Sequence, residues 1–118
     1  MKIVKLDTDY FEAGMYGHWC PGCQSGHSIA VEAPLPNGAR WSFNGNDGKP
    51  SFSPSINISW EFPAGKKERC HYFITDGKIS YCTDSTHHLS GQTVELPDLP
   101  SGTFASSQLK QRMRGEAE

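Results

Sequence analysis

The chain has no apolar run of membrane-spanning length: no window approaches the roughly 18 consecutive apolar residues that a spanning helix needs. Only 36% of its residues are hydrophobic, and mean hydropathy is -0.57. The opening MKIVKLDTDYFEAG also lacks an apolar core, so it does not read as a secretory signal. A cytoplasmic location is therefore expected. A basic excess is missing too. Net charge is -2 and the pI about 6.2, which gives no reason to expect a nucleic-acid partner. There is no acidic block to make a solvating tail, no internal repeat and no low-complexity tract. Cysteine is scarce, with four in 118 residues. In a reducing compartment a close cysteine pair points to metal or catalysis before a structural disulfide.

Glycine and proline are plentiful, at 12 and 8, and spread along the chain. They cut it into pieces that suit short strands better than helices. Strands are expected at 1–6, 28–33, 39–43, 55–60, 70–75, 78–82 and 93–96. The only late helix candidate is Ser106–Arg114, which is polar. The expected fold is mostly β: small antiparallel sheets with a zinc knuckle, then a short polar C-terminal helix or tail. The length predicts one domain over residues 1–100, followed by a polar tail at 101–118. A core this small gains from a staple such as a metal.

One hairpin is legible in detail. CHYFITDGKISYC places Asp76-Gly77 between two β-prone runs, which signals a type I′ turn. The register then sets Thr75 against Lys78, Phe73 against Ser80, His71 against Cys82 and Arg69 against Asp84. Alternation gives a core face of Cys70, Tyr72, Ile74, Ile79 and Tyr81. The other face carries His71, Phe73, Ser80, Cys82 and Asp84, with His71 and Asp84 as diagonal neighbours. A bulge near Cys82 would break that register.

WCPGC, residues 19–23, holds Cys20 and Cys23 around a Pro-Gly turn. That is the spacing of a zinc knuckle, whose turn N–H groups point at two thiolates. Cys70 is the expected third ligand. His27, four residues after Cys23, is the expected fourth, with His87 as its rival. Four ligands close a structural Zn2+ site. A redox pair would sit at a strand-to-helix junction, and the residues after Cys23 read as turn and strand instead. Unliganded cysteines are the plain alternative.

KPSFSPSINISW brings Ser51, Ser53 and Ser55 between prolines. The plain reading is a polar turn entering a strand, stiffened by Pro54. A hydroxyl becomes a nucleophile only beside a base, and the hairpin supplies His71 as base with Asp84 as its orienter. Cys82 is a rival nucleophile or a half-buried structural thiol. Asn44 and Asn46 suit a turn, with an oxyanion role as the alternative. His88 reads as surface. Trp19, Trp41 and Trp60 read as core, or as the lining of a peptide groove.

In order, WCPGCxxxHxI, WSFNGN, PSFSPSI, CHYFITDGKI and DxTHxLxGQTVELP span Trp19 to Pro97. Together they resemble a family of small phage and prophage proteins. Some of those carry an ammonia monooxygenase label, which nothing in this chain supports. The family in turn resembles the serine peptidases of bacterial ubiquitination-like (Bub) operons. The match is carried by Pro54, Ser55 and Ile56 and by His71, Phe73 and Ile74. It implies Ser55 as nucleophile and His71 as base. The relatives' cysteine block is of CxC type, so the ligand set rests on this chain's own spacing. Some phage members have Cys where this chain has Ser85, which makes position 85 a poor ligand candidate.

The expected function is a zinc-stabilised serine hydrolase, a peptidase or isopeptidase. The resemblance implies a protein substrate, a ubiquitin-like modifier or its conjugates, in the host cytosol where the protein is phage-encoded. The alternatives are a zinc-ribbon-like protein-binding module and a zinc-dependent hydrolase.

Overall fold

The computed structural model describes residues 1–6 and 15–104, and the structural statements below concern those residues. They form two antiparallel sheets and no helix. The first sheet holds β1 (Ile3–Leu6), β2 (Met15–Cys20) and β3 (Ser25–Ala30) in that order. The second holds β4 (Ser42–Phe43), β5 (Phe52–Glu61), β6 (Lys67–Thr75), β7 (Lys78–Tyr81) and β8 (Thr93–Glu95), also in order. Strand neighbours in the chain are neighbours in the sheet, as short connections favour. The mostly β class with small antiparallel sheets is the fold observed. The helix expected at Ser106–Arg114 lies outside the described residues.

β2 was not foreseen. Its burial does not alternate, because Gly17 and His18 are both buried in mid-strand. Pairing with β2 also starts β3 at Ser25, directly after the CPGC turn, rather than at Ser28.

The β6–β7 hairpin follows its turn chemistry. Asp76 and Gly77 have φ of 51° and 77°, as a type I′ turn requires. Thr75 pairs with Lys78 and Phe73 with Ser80, and the Cys82 N–H donates to the His71 carbonyl at 2.8 Å. Beyond Cys82 the expected register fails. Ser85 N–H donates to the Cys82 carbonyl, closing a turn. The Arg69 backbone consequently pairs with Thr86, not Asp84, through Thr86 N–H to Arg69 O at 2.9 Å and Arg69 N–H to Thr86 Oγ1 at 3.0 Å.

The core lies between the sheets. Cys70, Tyr72, Ile74, Ile79 and Tyr81 are buried there, as the alternation predicts, against Ile3, Cys20 and Ile29 of the first sheet. The tryptophans are less interior than expected. Trp19 and Trp41 are half-buried, and Trp60 is exposed because it lies past Ile58 on β5, beyond the packed part of the strand.

Candidate active site and metal centre

β6 carries two kinds of chemistry on its two faces. Cys70 and Tyr72 point into the core, so His71 points out. Ser55 enters the same open face from β5, where the pairing with β6 shifts between Phe52 and Ile56. Its Oγ lies 3.1 Å from His71 Nε2. On the other side of the ring, His71 Nδ1 lies 3.0 and 3.1 Å from the two Asp84 oxygens. A carboxylate only accepts, so Nδ1 carries the proton and Nε2 presents its lone pair to the Ser55 hydroxyl.

The turn at residues 82–85, which spoils the simple register, is what swings Asp84 onto His71. The hydrogen bond from His71 chiefly, and Arg69 after it, hold the Asp84 carboxyl below its usual range. Arg69 Nη1 stands 3.3 Å from Asp84 Oδ2. Ser85, singled out from the sequence only as a poor metal ligand, clamps the histidine backbone. Its buried Oγ accepts from His71 N–H at 3.0 Å and donates to His71 O at 3.0 Å. Trp41 Nε1 donates to the Ser55 carbonyl at 3.1 Å and fixes the strand at the serine. Neither partner has a local sequence signal, because each bond spans a loop.

The rival groups are placed differently. Ser51 Oγ accepts from Asp76 N–H at 2.8 Å, so it holds the hairpin tip. Ser53 is exposed and pairs with Ser42. Cys82 lies near His71 and Asp84, but burial first and the Asp84 charge second push its thiol up, which favours the protonated form. Asn44 and Asn46 bind loop N–H groups: Asn44 Oδ1 accepts from Asn46 and Ser51, and Asn46 Oδ1 from Gly48 and Lys49. His88 is exposed.

On the inner face, Cys20, Cys23, Cys70 and His87 each present a ligand atom within 4.8 Å of the others. Cys20 Sγ and Cys70 Sγ are 3.7 Å apart, and Cys70 Sγ lies 3.5 Å from His87 Nε2. A tetrahedron with metal–sulfur bonds of about 2.3 Å has sulfur–sulfur edges of about 3.8 Å. The sulfur spacing therefore suits a tetrahedral metal and is far too long for a disulfide. Cys23 N–H points at Cys20 Sγ at 3.4 Å, as in a knuckle. Tyr81 Oη lies 3.1 Å from Cys20 Sγ and accepts from Gly22 N–H at 3.1 Å.

The three sulfurs differ in which protonation state their surroundings favour. Hydrogen bonds from Cys70, then Tyr81 and Cys23 N–H, bring Cys20 down to about 5. Burial and the neighbouring sulfur push Cys23 up to about 11, and the bond to Cys20 with burial pushes Cys70 up as well. Three thiolates so close need a cation between them. Gly22 leaves room for the fourth donor: a Cβ there would stand 2.3 Å from His87 Cε1. These residues fit a tetrahedral Zn2+, held with three sulfurs and one nitrogen.

His27 is not among them, which corrects the sequence expectation. It lies on β3 opposite His18, two residues along the strand from Ser25, the partner of Cys20. Its Nδ1 is committed to Tyr72 Oη at 3.0 Å. Tyr72 Oη also meets His18 Nε2 at 2.7 Å. Burial pulls His18 down to about 3, so that ring is neutral. Its Nδ1 donates to Trp19 O, Tyr72 donates to its Nε2, and His27 donates to Tyr72. This buried chain ties the first sheet to β6, and sequence reasoning missed it.

A groove of about 610 Å³ opens beside Asp84, lined among others by Ser59, Trp60, Lys67, Arg69 and Thr86. Phe73, 47% exposed, lies with its ring 6.5 Å from that of His71 and near-parallel to it. No helix among the described residues is long and apolar enough to cross a membrane. The model of one protein family, described as the bacterial ubiquitination-like system serine protease (BubE), matches residues 2–82. That span takes in Ser55, His71 and all four cysteines, while Asp84 and His87 lie just past its end. No curated protein and no solved structure matches the chain.

Proposed function

We propose that this chain, which belongs to the family of bacterial ubiquitination-like system serine proteases, is a peptidase or isopeptidase acting on a ubiquitin-like protein or its conjugates. The observation that carries this reading is the unbroken chain from Ser55 Oγ through His71 Nε2 and Nδ1 to the Asp84 carboxylate. In it Ser55 is the nucleophile, His71 the base and Asp84 the orienter. His71 takes the hydroxyl proton as Oγ attacks a peptide or isopeptide carbonyl, then returns it to the leaving amine. Asp84 keeps the proton on Nδ1 and stabilises the imidazolium. Water then repeats the sequence on the acyl-serine.

The open sheet face and the groove beside Asp84 suit an extended polypeptide, with Trp60 and Phe73 as apolar contacts. Cys20, Cys23, Cys70 and His87 would hold Zn2+ between the sheets, where its chemistry is structural: a countercharge for thiolates and a link between chain segments. Cys70 and His71 are successive residues on opposite faces of β6, which separates this centre from the serine and speaks against a zinc-dependent hydrolase.

A fluorophosphonate probe followed by mass mapping tests the assignment. Expected is one adduct on Ser55 in the wild type and none in Ser55→Ala or His71→Ala. An unlabelled wild type that keeps its fold would overturn the peptidase reading in favour of a binding module.

A further inference from the structure

The triad as described has a nucleophile, a base and an orienter, but no donor for the negative charge that develops on the carbonyl oxygen. Four asparagines occur in the chain, at 37, 44, 46 and 57. Three are spent on their own turns, including Asn37, whose Oδ1 accepts from Ala39 N–H at 3.0 Å. Asn57 differs. It is exposed, and its carboxamide makes no hydrogen bond to another described residue.

Its position is specific. Asn57 of β5 is the direct cross-strand partner of His71 of β6. Paired residues project from the same sheet face, with Cβ atoms about 4.5–5.5 Å apart. Buried Ile56 and core-packed Ile58 on either side place Asn57 on the open face, and Ser55, two residues earlier, reaches His71 from that face. The His71 ring has Asp84, from the loop after β7, on one side and Ser55 of β5 on the other, and Arg69 contacts Asp84. Asn57 is therefore on the nucleophile's strand, and Arg69, one pair further along, is already engaged by Asp84.

We infer that Asn57 is a further catalytic residue, whose side-chain N–H groups donate to the oxyanion formed when Ser55 attacks a carbonyl. The inference rests on the serine peptidase reading above. The Ser55 Oγ–carbon bond forms, the carbonyl π pair moves onto oxygen and the Oγ proton passes to His71 Nε2. Asn57 Nδ2–H holds that oxygen until the pair returns, the C–N bond breaks and the amine leaves with the proton from His71. A neutral carboxamide suits this role, since it adds no charge to compete with the imidazolium. A single side-chain donor of this kind contributes about 10²–10³ in rate.

The test measures inactivation by a fluorophosphonate, in which Oγ–phosphorus bond formation expels fluoride and loads charge onto the phosphoryl oxygen. Wild type, Asn57→Ala, Asn57→Asp and Ser55→Ala are compared as metal-loaded protein, with thermal unfolding checked for each. The expected result for Asn57→Ala is a maximal inactivation rate lower by about 10²–10³. The half-saturating probe concentration and the midpoint of the pH profile, which reports His71, should not move. Asn57→Asp should fall at least as far, and it decides the matter if the alanine variant does not fold. Asn57 variants within about threefold of wild type, with Ser55→Ala unreactive, would overturn this inference alone. A shifted pH midpoint would also overturn it, making Asn57 a positioning residue for His71. A wild type that is not labelled at Ser55 would overturn the underlying reading as well.

Discussion

His71 uses each ring nitrogen for one partner, and the consequences can be measured at single residues. Its Nδ1 bond is the chief reason the Asp84 carboxyl titrates below the usual value of about 3.9. A depressed carboxylate contributes stability above its unfolded value and loses it as pH falls through the folded one. His71→Ala should therefore move the Asp84 midpoint up toward about 3.9, read by carboxyl carbon NMR. Arg69→Ala should move it less. No movement in His71→Ala would mean that the two side chains do not pair in solution. Asp84→Asn keeps the shape but lets Nδ1 lose its proton, so Nε2 can carry one and stop accepting. By analogy with serine proteases, the labelling rate of Ser55 should fall about 10⁴-fold with little change in fold. The three serines show what sequence could resolve here. The hairpin register pointed to His71 beside Asp84, and the turn at 82–85 brings them together by another route. Only the structure shows that Ser51 bonds the hairpin turn, Ser53 pairs with Ser42 of β4 and Ser55 meets His71.

Among the elements, the β6–β7 hairpin was the most legible. Asp-Gly dictates its turn, and strict alternation dictates its buried face. β2 was illegible for the opposite reason. It buries a glycine and a histidine in mid-strand, and these look apolar only once Tyr72 supplies the hydrogen bond that His18 needs. His27 has a ligand's spacing in the sequence, but it lies outside the Cys20, Cys23, Cys70 and His87 cluster, and its Nδ1 bonds Tyr72 in this chain instead. Tyr72→Phe would strand His18 Nε2 and His27 Nδ1 at the junction of the sheets. The expected cost is about 1–3 kcal/mol in urea denaturation of the metal-loaded protein. A cost near zero would show that the two histidines find other partners. Gly22→Ala probes the neighbouring element. Its Cβ would enter the His87 ring position against a turn whose N–H is already bonded, so His87 must retreat. Competition with a chelator should show affinity for Zn2+ lower by about 10–100-fold, comparable to losing a ligand's support.

At the scale of the whole molecule, the cysteine–histidine centre joins segments that are far apart in the chain. Cys20 ends β2, Cys23 lies in the turn that follows it, Cys70 belongs to β6, and His87 to the loop after β7. That loop leaves β7 through the turn carrying Asp84 and Ser85, so the cysteine–histidine cluster and the Ser55–His71–Asp84 chain share one stretch of backbone. A chain with 36% hydrophobic residues has limited apolar area with which to hold that stretch. Metal binding and folding should therefore be one transition, because the preformed ligand set is absent from the unfolded chain. Treatment with a strong chelator is expected to lower the thermal midpoint sharply and to abolish fluorophosphonate labelling over the same range of chelator. Re-addition of Zn2+ should restore both. Ser55→Ala should bind the metal and melt as the wild type does, since the hydroxyl lies on the opposite face of the sheet. Labelling lost while the melting transition stays unchanged would put the metal in the reaction itself. Labelling that survives complete metal removal would mean that the sheets hold Asp84 against His71 unaided.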